Sequence, residues 1–509
     1  MVAPITQVQP NPITTGSQQP KRKRTSIFYI NDLHSNLTNL EKLKNASDRF
    51  DASVKSSSTD VLKLSAGDIG VGRDTSFNRL AVDFQNSIGI MASAGGNHEF
   101  DLNKKDLVEV LKGAKYKFLG LNVEIPEDNQ INKELHDDIV KSYIQEENGD
   151  KYGVIGLLPF DFAMHLSDPE EYGDFNIMPP EKTVPLLQAE VDRMKAQGVN
   201  KIILLSHVGY QDDFKLAQAV EGLDIIIGGH NHDLIIGVQE GKNLFYSKKT
   251  GEPTVIVQAG RNGDYFGVLN LEFDENGVIK DVQNNVSPTV DFSRSLVMKQ
   301  ITDSILGKPE VIGTIKSSPK HRHTLVDENP GVNFIADAEK SELGVDIVLI
   351  NAGNIRSSIE AGPLTNRDLQ ILTPFDNKLW IIKLTEPELV EALKVSAGSL
   401  ANVDGVPGIL QFSGLKYTMS KKGEVKAAVF VNKDGKEIPI DVNNPNPFKT
   451  YSVAVDDFIG KGGNGYIPNK DDTAITKFNF DKNKLVADYL KKHPEPVEIS
   501  TEKRITFVD

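Results

Sequence analysis

The sequence predicts an α/β domain followed by a smaller α+β domain. Three observations carry this. The chain has 509 residues, more than one hydrophobic core ordinarily supports. Over its first 290 positions, short apolar runs alternate with amphipathic stretches, as they do where strands are covered on both faces. Past "YFGVLNLEFDENGVIKDVQNN" the alternation gives way to a different pattern.

In order along the chain, residues 1–24 are rich in Pro, Gln, Thr and Ser and contain no apolar segment of signal-peptide type; they predict a disordered tail. Its basic end, Lys21 to Arg24, is a solvated flank or an address. Residues 25–290 form the first domain. The runs "SIFYI", "DVLKLSA", "GIMASAG", "YKFLGLNV", "YGVIGLL", "KIILLS" and "LDIIIGG" each have the length of a buried strand. "LTNLEKLKNASDRF" and "TVPLLQAEVDRMKAQG" have helical periodicity. A hairpin is expected around Glu275-Asn276-Gly277. Residues 291–310, with "SRSLVMKQITDSILGKP", predict a connector helix ending near Gly307-Lys308-Pro309. Residues 311–509 make the second domain.

Composition excludes several classes of function. With 39% hydrophobic and 25% charged residues, the chain has the balance of a soluble globular protein. No stretch of about 18 apolar residues predicts a membrane span. A net charge of −14 disfavours long nucleic acid and anionic membranes as partners. The missing apolar leader predicts a cytoplasmic protein, with export as the alternative. Oligomeric state is left open. With no cysteine, any metal must be held by His, Asp, Glu or Asn, a donor set for the harder divalent ions.

Five strand-like runs end in such residues. Asp32 and His34 follow the first, Asp68 the second, Asn97 and His98 the third. His207 follows "KIILLS", and His230 and His232 follow "LDIIIGG". Half of the ten histidines fall in this set. The carboxyl ends of strands in an α/β sheet share one edge, so residues distant in sequence can meet there. Singly, each motif has an ordinary explanation: a D-x-H turn, a G-D turn, a helix-capping Asp101. Jointly, and always after an apolar run, they point to a metal centre.

The set D-L-H, G-D, G-N-H-E, S-H and G-H-N-H resembles the calcineurin-like metallophosphoesterases. "GGNHEFD" and the later motifs narrow the resemblance to the 5′-nucleotidase family, over residues 25–509. It implies a β-sandwich flanked by helices in the first domain and two divalent metal ions, Mn, Zn, Fe or Co. Asp32, His34, Asp68 and His232 would hold one ion. Asp68, Asn97, His207 and His230 would hold the other, with Asp68 shared. A hydroxide between the ions would attack phosphorus in line. His98, oriented by Asp101, would stabilise the phosphoryl group or protonate the leaving oxygen. Glu99 is expected to be structural.

The same resemblance assigns the second domain to substrate binding. Phe375 and Phe458 would sandwich a nucleobase. Asn351 and Arg356 match the family's N-G-G-G-I-R motif, the arginine suited to an anion. Arg322 is the candidate for a further family arginine. Two departures stand out. "NAGNIR" puts Asn354 where a glycine is usual, and the asparagine there could clash or could tolerate a positive φ. "GGNGY" puts Asn464 where a carboxylate normally meets the ribose. The implied activity is phosphate removal from nucleotides, with nucleoside 5′-monophosphates first. The alternatives are a 2′,3′-cyclic-nucleotide phosphodiesterase with 3′-nucleotidase activity, a nucleotide-sugar hydrolase, and a non-catalytic nucleotide-binding protein.

Overall fold

The computed structural model of the chain describes residues 23–55, 58–166, 170–319, 325–355, 359–373, 375, 377–402, 408–500 and 502–509. Two sheets form the first part. One has seven strands, and its centre is a parallel set: Lys23–Ile30 beside Asp60–Ser65, then Ala92–Ala94, then Lys117–Leu119. The other has six, with Asp150–Leu157, Lys201–Ser206, Ile225–Gly228 and Pro253–Val257 parallel in that order.

The period-two alternation of a strand decides what lies on each face. Ile27 and Tyr29 join one core with Leu64, Val154, Ile203, Leu205 and Ile227, which packs sheet against sheet. Phe28 and Ile30 point the other way, into a core with the helices Leu37–Val54 and Thr75–Ile88. On the second sheet, Ile202 and Leu204 face the helices Pro180–Ala196 and Tyr210–Ala219. The result is helix, sheet, sheet, helix. Strand runs alone predict strands covered on both faces; they do not say that one cover is another sheet.

The hairpin expected at Glu275 to Gly277 joins Tyr265–Phe273 to Ile279–Pro288. The connector helix runs Leu296–Leu306, capped by the Ser295 hydroxyl, and packs on the helices Leu37–Val54 and Thr75–Ile88. Arg367 ties it to the second half of the chain, donating to Asp303 at 2.8 Å and to the Gly307 carbonyl. Beyond the connector lie a five-stranded, a four-stranded and a three-stranded sheet. The five-stranded one contains Ile347–Asn351, Thr450–Asp456 and Lys378–Thr385. The helices Pro330–Leu343 and Glu386–Gly398 pack on it through separate cores. Among the described residues, no helix is long and apolar enough to cross a membrane.

Candidate metal centre

The parallel pairings bring five strand ends to one edge. Lys23–Ile30, Asp60–Ser65 and Ala92–Ala94 deliver Asp32, His34, Asp68, Asn97 and His98 from one sheet. Lys201–Ser206 and Ile225–Gly228 deliver His207, His230 and His232 from the other. Three of the five strands break sharply, those that end before Asp32, Asp68 and His230. Asp32, His34, Asp68, His230 and His232 have φ of 50°, 48°, 51°, 80° and 63°. A left-handed backbone at a non-glycine residue costs on the order of 1 kcal/mol or more and clusters at functional sites. Glycines make room: a Cβ on Gly96 would lie 2.1 Å from Asp68 Oδ1, and one on Gly229 2.8 Å from His207 Nδ1. After the breaks, Asn36 caps the helix Leu37–Val54 and Asp74 the helix Thr75–Ile88.

All seven candidate ligands stand together. Asp68 Oδ2 lies 3.1 Å from His207 Nε2 and 3.5 Å from His34 Nε2. Asp32 Oδ1 lies 3.5 Å from His232 Nε2 and 3.8 Å from His207 Nε2. His230 Nδ1 faces Asn97 Oδ1 at 3.0 Å. Both aspartates and His207 are fully buried or nearly so. His207 Nε2 is buried and, apart from its approach to the Asp68 carboxylate, has no hydrogen-bond partner among the described residues. Its other nitrogen is fixed by the Ala66 carbonyl at 2.6 Å.

This donor set fits divalent cations. Oxygen and imidazole lone pairs converge where two carboxylates would otherwise be desolvated with little compensation. Burial pushes the Asp32 carboxyl up to about 7, opposed by His207 and assisted by Asp68. Burial also pulls His207 down, but Asp68 and Asp32 outweigh it and push the imidazole up to about 10. A cation between these carboxylates is what their charge calls for. Groups of ligand atoms within 4.8 Å of one another are Asp32, His34 and His232; Asp32, Asp68 and His207; and His34, Asp68 and His98.

His98 Nδ1 lies 2.7 Å from Asp101 Oδ2, which also accepts from the Gly72 amide at 2.8 Å. Asp101 caps no helix; Asn103 does so for Lys104–Leu111. Glu99 is buried and holds backbone amides rather than facing the centre.

On the second-domain side, the Phe375 ring lies 6.1 Å from that of His98. Asn351 ends a strand, buried, and its amide oxygen accepts from Tyr466 at 3.2 Å. Phe458 lies on the short helix Asp457–Gly460. A Cβ on Gly463 would stand 2.7 Å from its ring, so the glycine-rich loop is shaped to that phenyl group. Asn464 is exposed, with φ 58°. The expectation that Asn354 clashes or tolerates a positive φ is corrected. Asn354 sits in the 3-10 turn Ala352–Asn354 without a positive φ, and its amide donates to the buried Asp456 carboxylate. Arg356 and Arg322 lie outside the described residues.

Sequence reasoning missed three neighbours. Asp161 contacts His230 Nε2 at 3.1 Å, and His165 approaches the same carboxylate at 3.0 Å. Asn262 Oδ1 anchors His34 Nδ1 at 3.0 Å. Both Asp161 and Asn262 come after strands, Asp150–Leu157 and Pro253–Val257; extending the strand-end search by four or five residues would have found them.

Residues 25–234 match the family model for calcineurin-like phosphoesterase, and residues 311–470 match that for the 5′-nucleotidase C-terminal domain. A Bacillus subtilis protein named trifunctional nucleotide phosphoesterase is 27% identical over 95% of this chain, which spans 35% of that relative's length. The snake venom 5′-nucleotidase of Naja atra is 28% identical over 86% of this chain and 88% of its own. A crystal structure of a 5′-nucleotidase precursor from Thermus thermophilus superposes with a TM-score of 0.77 at 26% identity, covering 96% of this chain and 99% of that one. Fold and site together define a metal-dependent phosphoric ester hydrolase of the calcineurin-like class. With its second domain, the chain carries the two domains whose models match calcineurin-like phosphoesterase and the 5′-nucleotidase C-terminal domain, and in fold it is similar to a 5′-nucleotidase precursor over nearly its whole length.

Proposed function

We propose that the chain removes phosphate from nucleotides, nucleoside 5′-monophosphates foremost, with two divalent cations drawn from Mn, Zn, Fe or Co. The observation that carries this is one cluster: Asp32 and Asp68 faced by anchored imidazoles, the His98–Asp101 pair beside them, and Phe375 within 6.1 Å of His98. Asp32, His34, Asp68 and His232 would hold one cation, and Asp68, Asn97, His207 and His230 would hold the second. Such cations would supply charge neutralisation for phosphate oxygens and a water acidic enough to act as nucleophile near neutral pH. His98 delivers a proton to the departing nucleoside oxygen, and Asp101 keeps its ring in the orientation that does so. Phe375 and Phe458 stack on the base, and Asn351 fixes the turn beside it.

Phosphate release from AMP, 3′-AMP, 2′,3′-cyclic AMP and UDP-glucose, measured with manganese, tests the reading. AMP is expected to be preferred, and His98→Ala to lower kcat by about 100-fold or more. Two observations favour a broader specificity. Asn464 offers the ribose an amide in place of a carboxylate, and the Bacillus subtilis relative is named trifunctional. Cyclic AMP turned over faster than AMP would establish that second reading. No turnover of any ester with both cations bound would favour a non-catalytic nucleotide-binding protein.

A further inference from the structure

We infer that Asp161 is a positioning residue for His230: it selects the imidazole nitrogen that faces the cation, and so sets the affinity of one metal position and not the other. The inference rests on the reading of His230 as a ligand.

Three imidazoles of the cluster share one design. Each has a nitrogen anchored by an oxygen and the other turned inward. His207 is anchored at Nδ1 by the Ala66 carbonyl at 2.6 Å, with Nε2 toward Asp68. His34 is anchored at Nδ1 by the Asn262 amide oxygen at 3.0 Å, also with Nε2 toward Asp68. His230 is reversed. Its Nε2 lies 3.1 and 3.2 Å from the two oxygens of Asp161, and its Nδ1 faces Asn97 Oδ1 at 3.0 Å. A neutral imidazole has one N–H and one lone pair, and an ionised carboxylate only accepts. Asp161 therefore holds the proton on Nε2. That leaves the Nδ1 lone pair against the Asn97 oxygen, two electron-rich atoms that fit a shared cation. Of the three anchors, only this one carries a full charge, and such a partner makes the imidazole the more basic ligand.

The anchor is itself held. Asp161 comes just after Asp150–Leu157, which lies parallel to the strand bearing His207. The next residue, Phe162, is buried with its ring 4.8 Å from that of Phe100, in the segment between His98 and Asp101. The Asp161 loop is thus clamped to the His98 loop. His165 Nε2 donates to the same Oδ2 that His230 reaches, at 3.0 Å, from a side chain 31% exposed. Asp161, His165 and His230 also lie close enough to take a cation of their own. Their hydrogen bonds favour an outer anchor instead, since both histidines spend an N–H on one carboxylate.

The test is metal binding by the full-length chain. Chelator-stripped protein is titrated with zinc in competition with a chromophoric chelator, and bound metal is counted by mass spectrometry. Wild type, Asp161→Asn, Asp161→Ala and His230→Ala are compared, with the melting temperature of each metal-free protein. The expected result is two ions in wild type. One of them should bind about 10-fold more weakly in Asp161→Asn, which keeps a neutral acceptor, and nearer 100-fold in Asp161→Ala. The other ion and the metal-free melting temperature should not move. Wild-type affinity in both Asp161 variants, equal weakening of both ions, or a third ion lost with Asp161 would each overturn the inference. If His230→Ala itself leaves metal binding intact, it is the ligand reading beneath the inference that fails.

Discussion

Glu99 shows how one side chain with no chemistry to perform holds the metal centre in shape. Its Oε1 accepts from the amides of Ile69 and Gly70 at 2.8 and 3.3 Å, and its Oε2 from Asp68 and Gly96 at 3.1 and 2.7 Å. The two loops so joined carry Asp68 and Asn97. Burial and the Asp68 charge push its carboxyl up, while the amides hold it down. Glu99→Gln turns an NH₂ group on two of these donors and leaves them without an acceptor. At about 1–3 kcal/mol for each buried donor, metal-free stability should fall by about 2–6 kcal/mol. Metal affinity should fall with it, because both loops loosen. Urea denaturation of the stripped protein checks the first and chelator competition the second; an unchanged denaturation midpoint would show that the loops do not depend on this carboxylate.

At the scale of elements, the helix Tyr210–Ala219 seals the outer face of the second sheet and buries Asp213 in its first turn. The carboxylate packs so tightly over the sheet that a Cβ on Gly228 would lie 2.5 Å from Oδ2. Burial pushes its pKa up from 3.8 to about 8, against a pull from Ser206. A folded value above the unfolded one means a contribution complete below the unfolded value and lost as pH rises through the folded value. Asp213→Asn removes that loss. Relative to wild type, the variant should gain stability as pH rises from about 4 to about 8 and level off above that, in urea midpoints measured across that range; parallel pH profiles would refute it.

The same scale explains what was legible in the sequence. Strand-end motifs stood out because a parallel sheet edge concentrates His, Asp and Asn immediately after apolar runs, as at Asp32, Asn97 and His230. The pairing of two sheets followed from the family resemblance and not from the strand runs, since Ile27 and Phe28 are alike in sequence and differ only in what covers them. Asp161 and Asn262 escaped because a short loop separates each from its strand, beyond the residues that directly follow the apolar run, and that loop folds back to His230 and His34. Asn354 misled because a sequence position records where glycine is usual and not the φ it adopts.

For the whole molecule, the contact that matters crosses from one half of the chain to the other: Phe375 stands 6.1 Å from His98. Arg367 donates to Asp303 of the connector helix, and the connector packs on the first half, so the chain between the two halves is tied to both. If the second domain supplies base recognition while the first supplies hydrolysis, the two can be separated by choice of substrate. An aryl phosphate has the ester but no nucleobase or ribose. Phe458→Ala removes a stacking face worth about 1–3 kcal/mol and touches no candidate metal ligand. It should raise KM for AMP by about 5- to 150-fold, with kcat little changed and aryl phosphate turnover untouched. Phe375→Ala should weaken AMP binding similarly. Because its ring also borders His98, it should lower kcat on AMP as well. Steady-state kinetics of both variants on both substrates decide the matter. Equal losses on AMP and aryl phosphate would mean that the rings support the metal centre rather than the base, and that the second domain recognises nucleotides by some other part of its surface.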